Sequence, residues 1–169
     1  RDWSSDVCSS DLGEELEERD GLRIIRRGSK LGVYRQARKL LRSGALGDVD
    51  VVIDTQNGIP FLSPWATDAP VVVLVHHVHK EQWPVVYDPI RSRIGWWVES
   101  RLSPRVYRTS RYIAVSDSTK GELIELGVDP WRIDVVRNAT SVEPGSITRH
   151  PDPSPRILVL GRIVPHKRV

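Results

Sequence analysis

The chain has 169 residues, of which 39% are hydrophobic and 28% charged, with 25 lysines and arginines, 22 acidic residues and one cysteine. A single cysteine excludes an intrachain disulfide scaffold and a cysteine-rich zinc site, and it favours a reducing compartment. The longest apolar run, Val71–Val75, is too short to span a bilayer, and no signal-peptide pattern is seen. The composition predicts a soluble, cytoplasmic protein with about one ordinary domain.

The first twelve residues show neither helical nor strand periodicity, and residues 4–6 nearly repeat as residues 9–11. The segment 2–12 is similar to one reading frame of a sequencing-library adapter, which predicts a non-native assembly scar over residues 1–12. Removing one arginine and three aspartates with this segment leaves 24 basic and 19 acidic residues. The formal charge then rises from +3 to +5, and the only cysteine is lost.

Six short apolar runs recur along the chain, with helical or turn-rich segments between them. The runs are continuous and rich in β-branched residues, as strands buried on both faces of a parallel sheet are. We predict strands at residues 22–25, 49–53, 71–75, 112–115, 133–136 and 157–160. Their alternation with helices predicts an α/β fold with a Rossmann-like, mostly parallel, doubly wound sheet.

The longest intervening segment has the spacing of an amphipathic helix. Its apolar residues fall on one stripe, which predicts that this stripe faces the core. The opposite face carries arginines and Glu99, and Pro104 is expected to end or kink the helix. The residues of the predicted stripe are Ile90, Ile94, Trp97, Val98 and Leu102.

A second helix is predicted directly after the strand at residues 112–115. Thr119 and Glu122 have the spacing of a capping box, which marks a helix start. Gly127 stands at a natural C-terminal stop, because glycine readily adopts the left-handed conformation found there. The sequence therefore predicts a strand, tight turn and helix unit.

Proline and glycine crowd together between residues 139 and 155, which is typical of a linker. A strand after this linker, with no sheet around it, indicates that a second domain has been cut off. We therefore expect an N-terminal Rossmann-like domain over residues 13–138 and a linker over residues 139–155. Residues 156–169 are expected to form the first strand and turn of a truncated C-terminal domain.

Ligands of open α/β sheets bind outside the carboxyl ends of the strands, so the residues after each run are candidate site residues. Three histidines, His76, His77 and His79, follow the strand at residues 71–75. They fit a zinc hydrolase if carboxylates or distant histidines complete the ligand set, or His77 and His79 are loop histidines bonded to the backbone. His76 is nearest to the strand end and is the best candidate for contacting a ligand.

Basic residues follow the last predicted strand. Gly161 lets the backbone approach a ligand, while Arg162 and Lys167 supply a forked donor and a point charge that suit phosphate oxygens. A solvated basic face is the alternative interpretation of these residues. Asn57 and Gly58, after the strand at residues 49–53, have the composition of a turn.

Five segments in this order resemble the retaining, nucleotide-sugar-dependent glycosyltransferases of the GT-B fold, specifically bacterial family 4. The resemblance covers residues 21–169. One departure is Arg137-Asn138-Ala139-Thr140, which stands where relatives usually have Pro-Asn-Gly-Val. The segments are DVVIDTQNGIPFLSP (50–64), VVVLVHHVHKEQW (71–83), YIAVSDSTKGELIELGV (112–128), DVVRNA (134–139) and LVLGRIVPHKRV (158–169).

The resemblance implies two Rossmann-like domains that face each other across a cleft, with the acceptor bound by the first and the nucleotide by the second. It implies that His76 is the catalytic residue beside the transferred sugar, and that Gly161, Arg162 and Lys167 bind the donor diphosphate. It also implies that neither a metal nor a cofactor besides the nucleotide sugar is needed. The residues implied on the acceptor side are Asn57, Gly58, Gln82 and Trp83.

The expected activity is transfer of a sugar from a nucleotide diphosphate sugar to a cell-envelope, glycolipid or polysaccharide acceptor with retention of configuration. The chain by itself is expected to be inactive, because most of the donor-binding domain is missing. A polyanion- or nucleic-acid-binding module is an alternative, motivated by the +5 charge and the arginines between residues 91 and 111. These arginines lack an aromatic stacking platform, so no nucleic acid partner is expected. A solvated helix face is favoured instead, in peripheral contact with anionic lipid at the inner face of the plasma membrane.

Overall fold

A computed structural model describes residues 15–29 and 32–139. The predicted scar, the strand at residues 157–160 and the three donor-side residues after it lie outside the described residues. In the described ranges, no helix has the length and apolar character needed to cross a membrane. The strands are β1 (Leu16–Arg19), β2 (Leu22–Ile25), β3 (Val52–Gln56), β4 (Val71–Val75), β5 (Arg111–Ala114) and β6 (Ile133–Val135). The α-helices are α1 (Gly32–Arg42), α2 (Trp83–Val86), α3 (Pro89–Trp97), α4 (Ser103–Val106) and α5 (Asp117–Glu125).

Four strands form a parallel sheet in the order β3-β4-β5-β6. Helices α2, α3 and α4 lie in the connection from β4 to β5, and α5 connects β5 to β6. The predicted α/β class with a parallel sheet is confirmed. The core is built on β4, whose Val73 and Val75 are fully buried against Tyr112, Ala114 and Leu123.

The N-terminal strands form a separate antiparallel hairpin. The strand predicted at residues 22–25 exists as β2, but its partner β1 was not predicted, and neither strand belongs to the parallel sheet. Asp20 and Gly21 form the two-residue turn, with φ angles of 52° and 78°. Asp-Gly is a preferred pair for such turns because both positions need positive φ, so the sequence contains a hairpin signal that the prediction did not include.

Helix α3 packs against the core with the face opposite to the predicted one. Ile90, Ile94 and Trp97 of the predicted stripe are 71%, 58% and 55% exposed. The buried residues are small or polar instead: Ser92, Gly95, Glu99 and Ser103. The physical reason is that small residues let the helix backbone approach the indole ring of Trp83 closely. Glu99 supplies the buried acceptor that the N–H group of this ring requires.

Residues Val98–Leu102 form a π-helical turn between α3 and α4, so the chain stays helical from Pro89 to Val106. Pro104 does not end the helix, because it lies in the first turn of α4, where its missing N–H costs little. A wider turn directly before a proline also relieves the clash that a regular helix would create. π-helical turns occur often at functional sites.

Helix α5 begins with Ser116 as its N-cap, not with the predicted pair of Thr119 and Glu122. The Ser116 hydroxyl accepts a hydrogen bond from the Thr119 backbone N–H at 3.1 Å. Glu122 instead accepts from the backbone N–H of Val78 at 3.3 Å. The predicted stop is confirmed, since α5 ends at Glu125 and Gly127 has a φ of 89°.

Candidate active site

Two loops meet at the carboxyl edge of the sheet. Gln56 at the end of β3 lies opposite Val75 at the end of β4. Because the two strands are parallel, Asn57 and His76 begin neighbouring loops at the same edge. The loops after β3 (residues 57–62) and after β4 (residues 76–82) carry all the acceptor-side positions predicted from the sequence except Trp83, which follows directly as the first residue of α2.

The loop after β3 is held by Asp54, a buried residue in the middle of that strand. Its carboxylate accepts hydrogen bonds from the hydroxyl of Ser63 at 2.7 Å, from the hydroxyl of Tyr107, and from the backbone N–H groups of Phe61 and Ser63 at 3.3 Å. Burial, and then the negative charge of Asp54, raise the pKa of Tyr107, which stays a hydroxyl donor. The sequence places Asp54 just before the candidate loop, and the structure makes it the anchor of that loop.

The loop after β4 is held by α5 on one side. The hydroxyl of Thr119 donates to the carbonyl oxygen of His76 at 3.0 Å, and the Val78 N–H is bonded to Glu122. The backbone of His76 is thus fixed while its side chain is exposed. An exposed imidazole on a fixed backbone at the end of the central strand can reach a ligand bound over this edge.

A buried carboxylate, Glu99, joins the two loops. It accepts a hydrogen bond from the indole Nε1 of Trp83 at 2.7 Å, and from both the backbone N–H and the ring Nδ1 of His79 at 3.1 Å. The other ring nitrogen of His79 lies 3.0 Å from Oδ1 of Asn57. Asn57, His79 and Trp83 are therefore brought into one network around Glu99.

The indole ring of Trp83 lies between two glycines. A Cβ atom on Gly58 would be 3.1 Å from the ring, and a Cβ on Gly95 would be 2.3 Å from it. Gly58 has a φ of 85°, so glycine is also favoured there by its backbone conformation. The predicted residues Gly58 and Trp83 are in direct contact, and Gly95 completes the clamp.

The rings of His77 and His79 contact each other with centroids 4.2 Å apart and an angle of 40° between their planes. Burial lowers the pKa of His77, and a positive charge on His79 lowers it further, while a hydrogen bond with Gln82 opposes the shift. His77 and Gln82 also line a cavity of about 640 Å³, together with Trp96, Glu122 and Glu125. Among the described residues, no group of three or more histidine, cysteine or acidic side chains is arranged to hold a metal ion.

Sequence reasoning missed two residues of this site, Glu99 and Gly95. A signal was present, because Ser92, Gly95, Glu99 and Ser103 recur at spacings of three and four residues. A stripe of small and polar residues at helical spacing can face the core when a large side chain from another element packs onto it. The aromatic and aliphatic stripe on the opposite side concealed this pattern.

An open parallel sheet with polar loops meeting at its carboxyl edge defines an α/β domain of the ligand-binding type. The family model described as Glycosyltransferase Family 4 matches residues 1–143, which is more than half of the chain. The chain therefore belongs to glycosyltransferase family 4, as the sequence resemblance indicated. No curated protein and no solved structure matches it. The adapter origin of residues 1–12 stays a prediction.

Proposed function

We propose that the protein moves a sugar from a nucleotide diphosphate sugar to a cell-envelope, glycolipid or polysaccharide acceptor with retention of configuration, at the cytoplasmic face of the membrane. The observation that carries this proposal is that the loops after β3 and β4 begin side by side at Asn57 and His76, with Asn57 bonded to His79 and Gly58 against Trp83. Family membership supports glycosyl transfer in general. Asn57 and Gln82 are proposed to line the acceptor side, and the buried residues Gly58 and Trp83 are proposed to shape it from behind.

In the proposed reaction, the bond between the sugar and the diphosphate breaks and the diphosphate leaves with added negative charge. Arg162 and Lys167 are proposed to stabilise this charge, with Gly161 allowing close approach of the backbone. Fixed cations that face a developing charge lower the barrier because they need no reorganisation during the reaction. His76 is proposed to contact the transferred sugar, and two cations on the diphosphate would make a divalent metal unnecessary.

We expect Arg162→Ala and Lys167→Ala to raise the KM for the donor in a protein extended through a complete C-terminal domain. Loss of a charged hydrogen bond to phosphate costs about 1.5 to 3 kcal/mol, which is roughly 10- to 150-fold in affinity. His76→Ala should instead lower kcat and leave the donor KM nearly unchanged. The measurement is release of nucleoside diphosphate from a panel of UDP- and GDP-hexoses.

Arg168→Ala is the matched control, because it removes the same charge from the same segment without touching the proposed pair. Equal effects of the Arg168 and Arg162 variants would contradict a specific diphosphate site. The 169 residues alone are expected to transfer no sugar, and transfer by them would show that the donor-binding residues lie elsewhere.

We also propose that the exposed apolar face of α2 and α3 rests on anionic lipid. Val85, Ile90, Ile94 and Trp97 are each at least half exposed on this face, and Arg91 and Arg93 are exposed beside them. An in-plane helix with aromatic and aliphatic residues next to arginines is typical of peripheral membrane contact. Each arginine near an anionic surface adds about 1 kcal/mol.

Ile94→Glu is expected to weaken binding to vesicles of phosphatidylcholine and phosphatidylglycerol by at least about tenfold, since it removes an aliphatic group that the lipid would bury and adds repulsion from the anionic headgroups. Co-sedimentation measures the bound fraction. Ile124→Glu, on the exposed side of α5, is the control and should bind like the unchanged protein. Retention on nucleic acid at physiological salt without vesicle binding would favour the polyanion-binding alternative and contradict this proposal.

A further inference from the structure

Glu99 is a fully buried carboxylate that the sequence prediction assigned to the solvent side of its helix. Burying a charged group is costly unless it is paired and hydrogen-bonded. All the hydrogen bonds described above for Glu99 come from two residues, His79 and Trp83, at the end of the loop after β4 and the start of α2. Glu99 itself stands in the π-helical turn, so this carboxylate ties the loop to the long helical segment.

The hydrogen-bond partners of His79 assign a role to each of its ring nitrogens. A carboxylate is only an acceptor, so the Nδ1 atom facing Glu99 is the donor of that bond. The Nε2 atom faces Oδ1 of Asn57, also an acceptor, and is assigned as the donor of the second bond. His79 therefore links the buried carboxylate of Glu99 to the amide of Asn57 through two hydrogen bonds.

The same bond orients the side chain of Asn57. Because Oδ1 accepts from His79, the amide cannot rotate without losing this bond. Asn57 as a residue is exposed, and the two N–H donors of Nδ2 are the groups left to meet a bound molecule. An amide fixed in this way presents these two donors at the carboxyl edge.

We propose that Glu99 is a positioning residue that acts through His79 to hold the Asn57 amide with its donors toward the acceptor, where they bind an acceptor hydroxyl oxygen. This inference rests on the proposed function, because it assumes that the acceptor binds against the loops after β3 and β4. The Trp83 clamp contributes by fixing the loop after β3 against α3 through Gly58 and Gly95. Glu99 touches neither substrate, and its effect reaches the site through two neighbours.

Two variants of similar size test this proposal in the enzyme extended through its C-terminal domain. Glu99→Gln removes the charge and places an amide N–H₂ against the donors of either His79 or Trp83, so the network must rearrange. Asn57→Asp keeps an acceptor for His79 but has no N–H donors. Each variant is expected to raise the KM for the acceptor about tenfold, with the donor KM unchanged. The acceptor probe is the alkyl hexoside on which the unchanged enzyme is most active.

A spectroscopic measurement separates the two variants. The indole N–H resonance of Trp83, assigned by its loss in Trp83→Phe, should shift in Glu99→Gln and stay in place in Asn57→Asp. The two ring nitrogens of His79 should both show protonated ¹⁵N shifts in the unchanged protein and lose this pattern in Glu99→Gln.

Equal changes of the donor and acceptor KM, or an unchanged acceptor KM in either variant, would overturn the positioning role. An unshifted indole resonance in Glu99→Gln would overturn the network itself. Absence of sugar transfer by the unchanged enzyme would instead contradict the proposed function, and the resonances would still report on Glu99 and His79.

Discussion

Gly95→Ala is expected to destabilise the domain by about 1 to 2 kcal/mol, although alanine is the better helix former. The new Cβ would lie 2.3 to 2.6 Å from three atoms of the Trp83 ring. The ring cannot simply move away, because Gly58 touches its other side and its N–H is bonded to Glu99. Overpacking of a filled core typically costs about 1 to 3 kcal/mol, which exceeds the gain of up to about 1 kcal/mol from helix propensity.

Gly121→Ala is the matched control for this prediction. Gly121 also lies inside a helix, but a Cβ there would meet nothing within 4 Å. The variant should therefore gain stability by roughly 0.5 to 1 kcal/mol. Urea unfolding of both variants measures the difference, and equal effects at the two glycines would contradict the clamp on Trp83.

A double variant identifies the indole as the cause. Trp83→Leu is destabilising because it removes a buried ring and leaves Glu99 with one donor fewer. In this background the alanine at position 95 has room, so Gly95→Ala should cost little or nothing. The stability losses of the two single variants should therefore not add up in the double variant, as is expected for residues in contact. They would add up if the loss in Gly95→Ala came from the helix backbone instead.

The strands of the parallel sheet could be predicted because their signal is local. Val71–Val75 forms as predicted, β5 is shifted by one residue toward the N-terminus relative to the predicted range, and β6 ends one residue earlier than predicted. Burial on both faces makes such runs continuous in sequence, so no knowledge of neighbours is needed. Strand β3 ends three residues later than predicted, since its last residues, Asp54, Thr55 and Gln56, are not apolar. Two of them are buried through hydrogen bonds, which a hydrophobicity pattern does not register.

The orientation of α3 could not be predicted because it depends on a partner from another element. Ile90 and Ile94 look like core residues because they are apolar. The residues that face the core are instead Gly95, which leaves room for the Trp83 ring, and Glu99, which accepts a hydrogen bond from its N–H group. Trp83 precedes the helix by several residues. Only the three-dimensional arrangement shows that an indole N–H needs the Glu99 carboxylate. For the same reason the family resemblance predicts Asn57 and Trp83 as candidate site residues, while Glu99, which joins them, was not predicted.

Asp54→Ala should be the most destabilising of the substitutions considered, at about 3 to 5 kcal/mol, because it leaves several buried donors without an acceptor. The hydroxyls of Ser63 and Tyr107 and two backbone N–H groups all bond to this carboxylate. Chemical denaturation gives the loss, and faster hydrogen exchange at Phe61 and Ser63 would locate it in the loop after β3.

Two milder variants test whether the loss arises from unsatisfied donors rather than from a missing side chain. Tyr107→Phe removes one donor together with its need for an acceptor and should cost only about 1 kcal/mol. Asp54→Asn should fall between the two, because hydroxyls can reverse their role and accept from the amide, whereas the backbone N–H of Ser63 cannot. An equal loss in Asp54→Ala and Tyr107→Phe would contradict this order. Since Asn57 and Gly58 lie in the loop that Asp54 holds, we expect acceptor binding to weaken in the order of the stability losses.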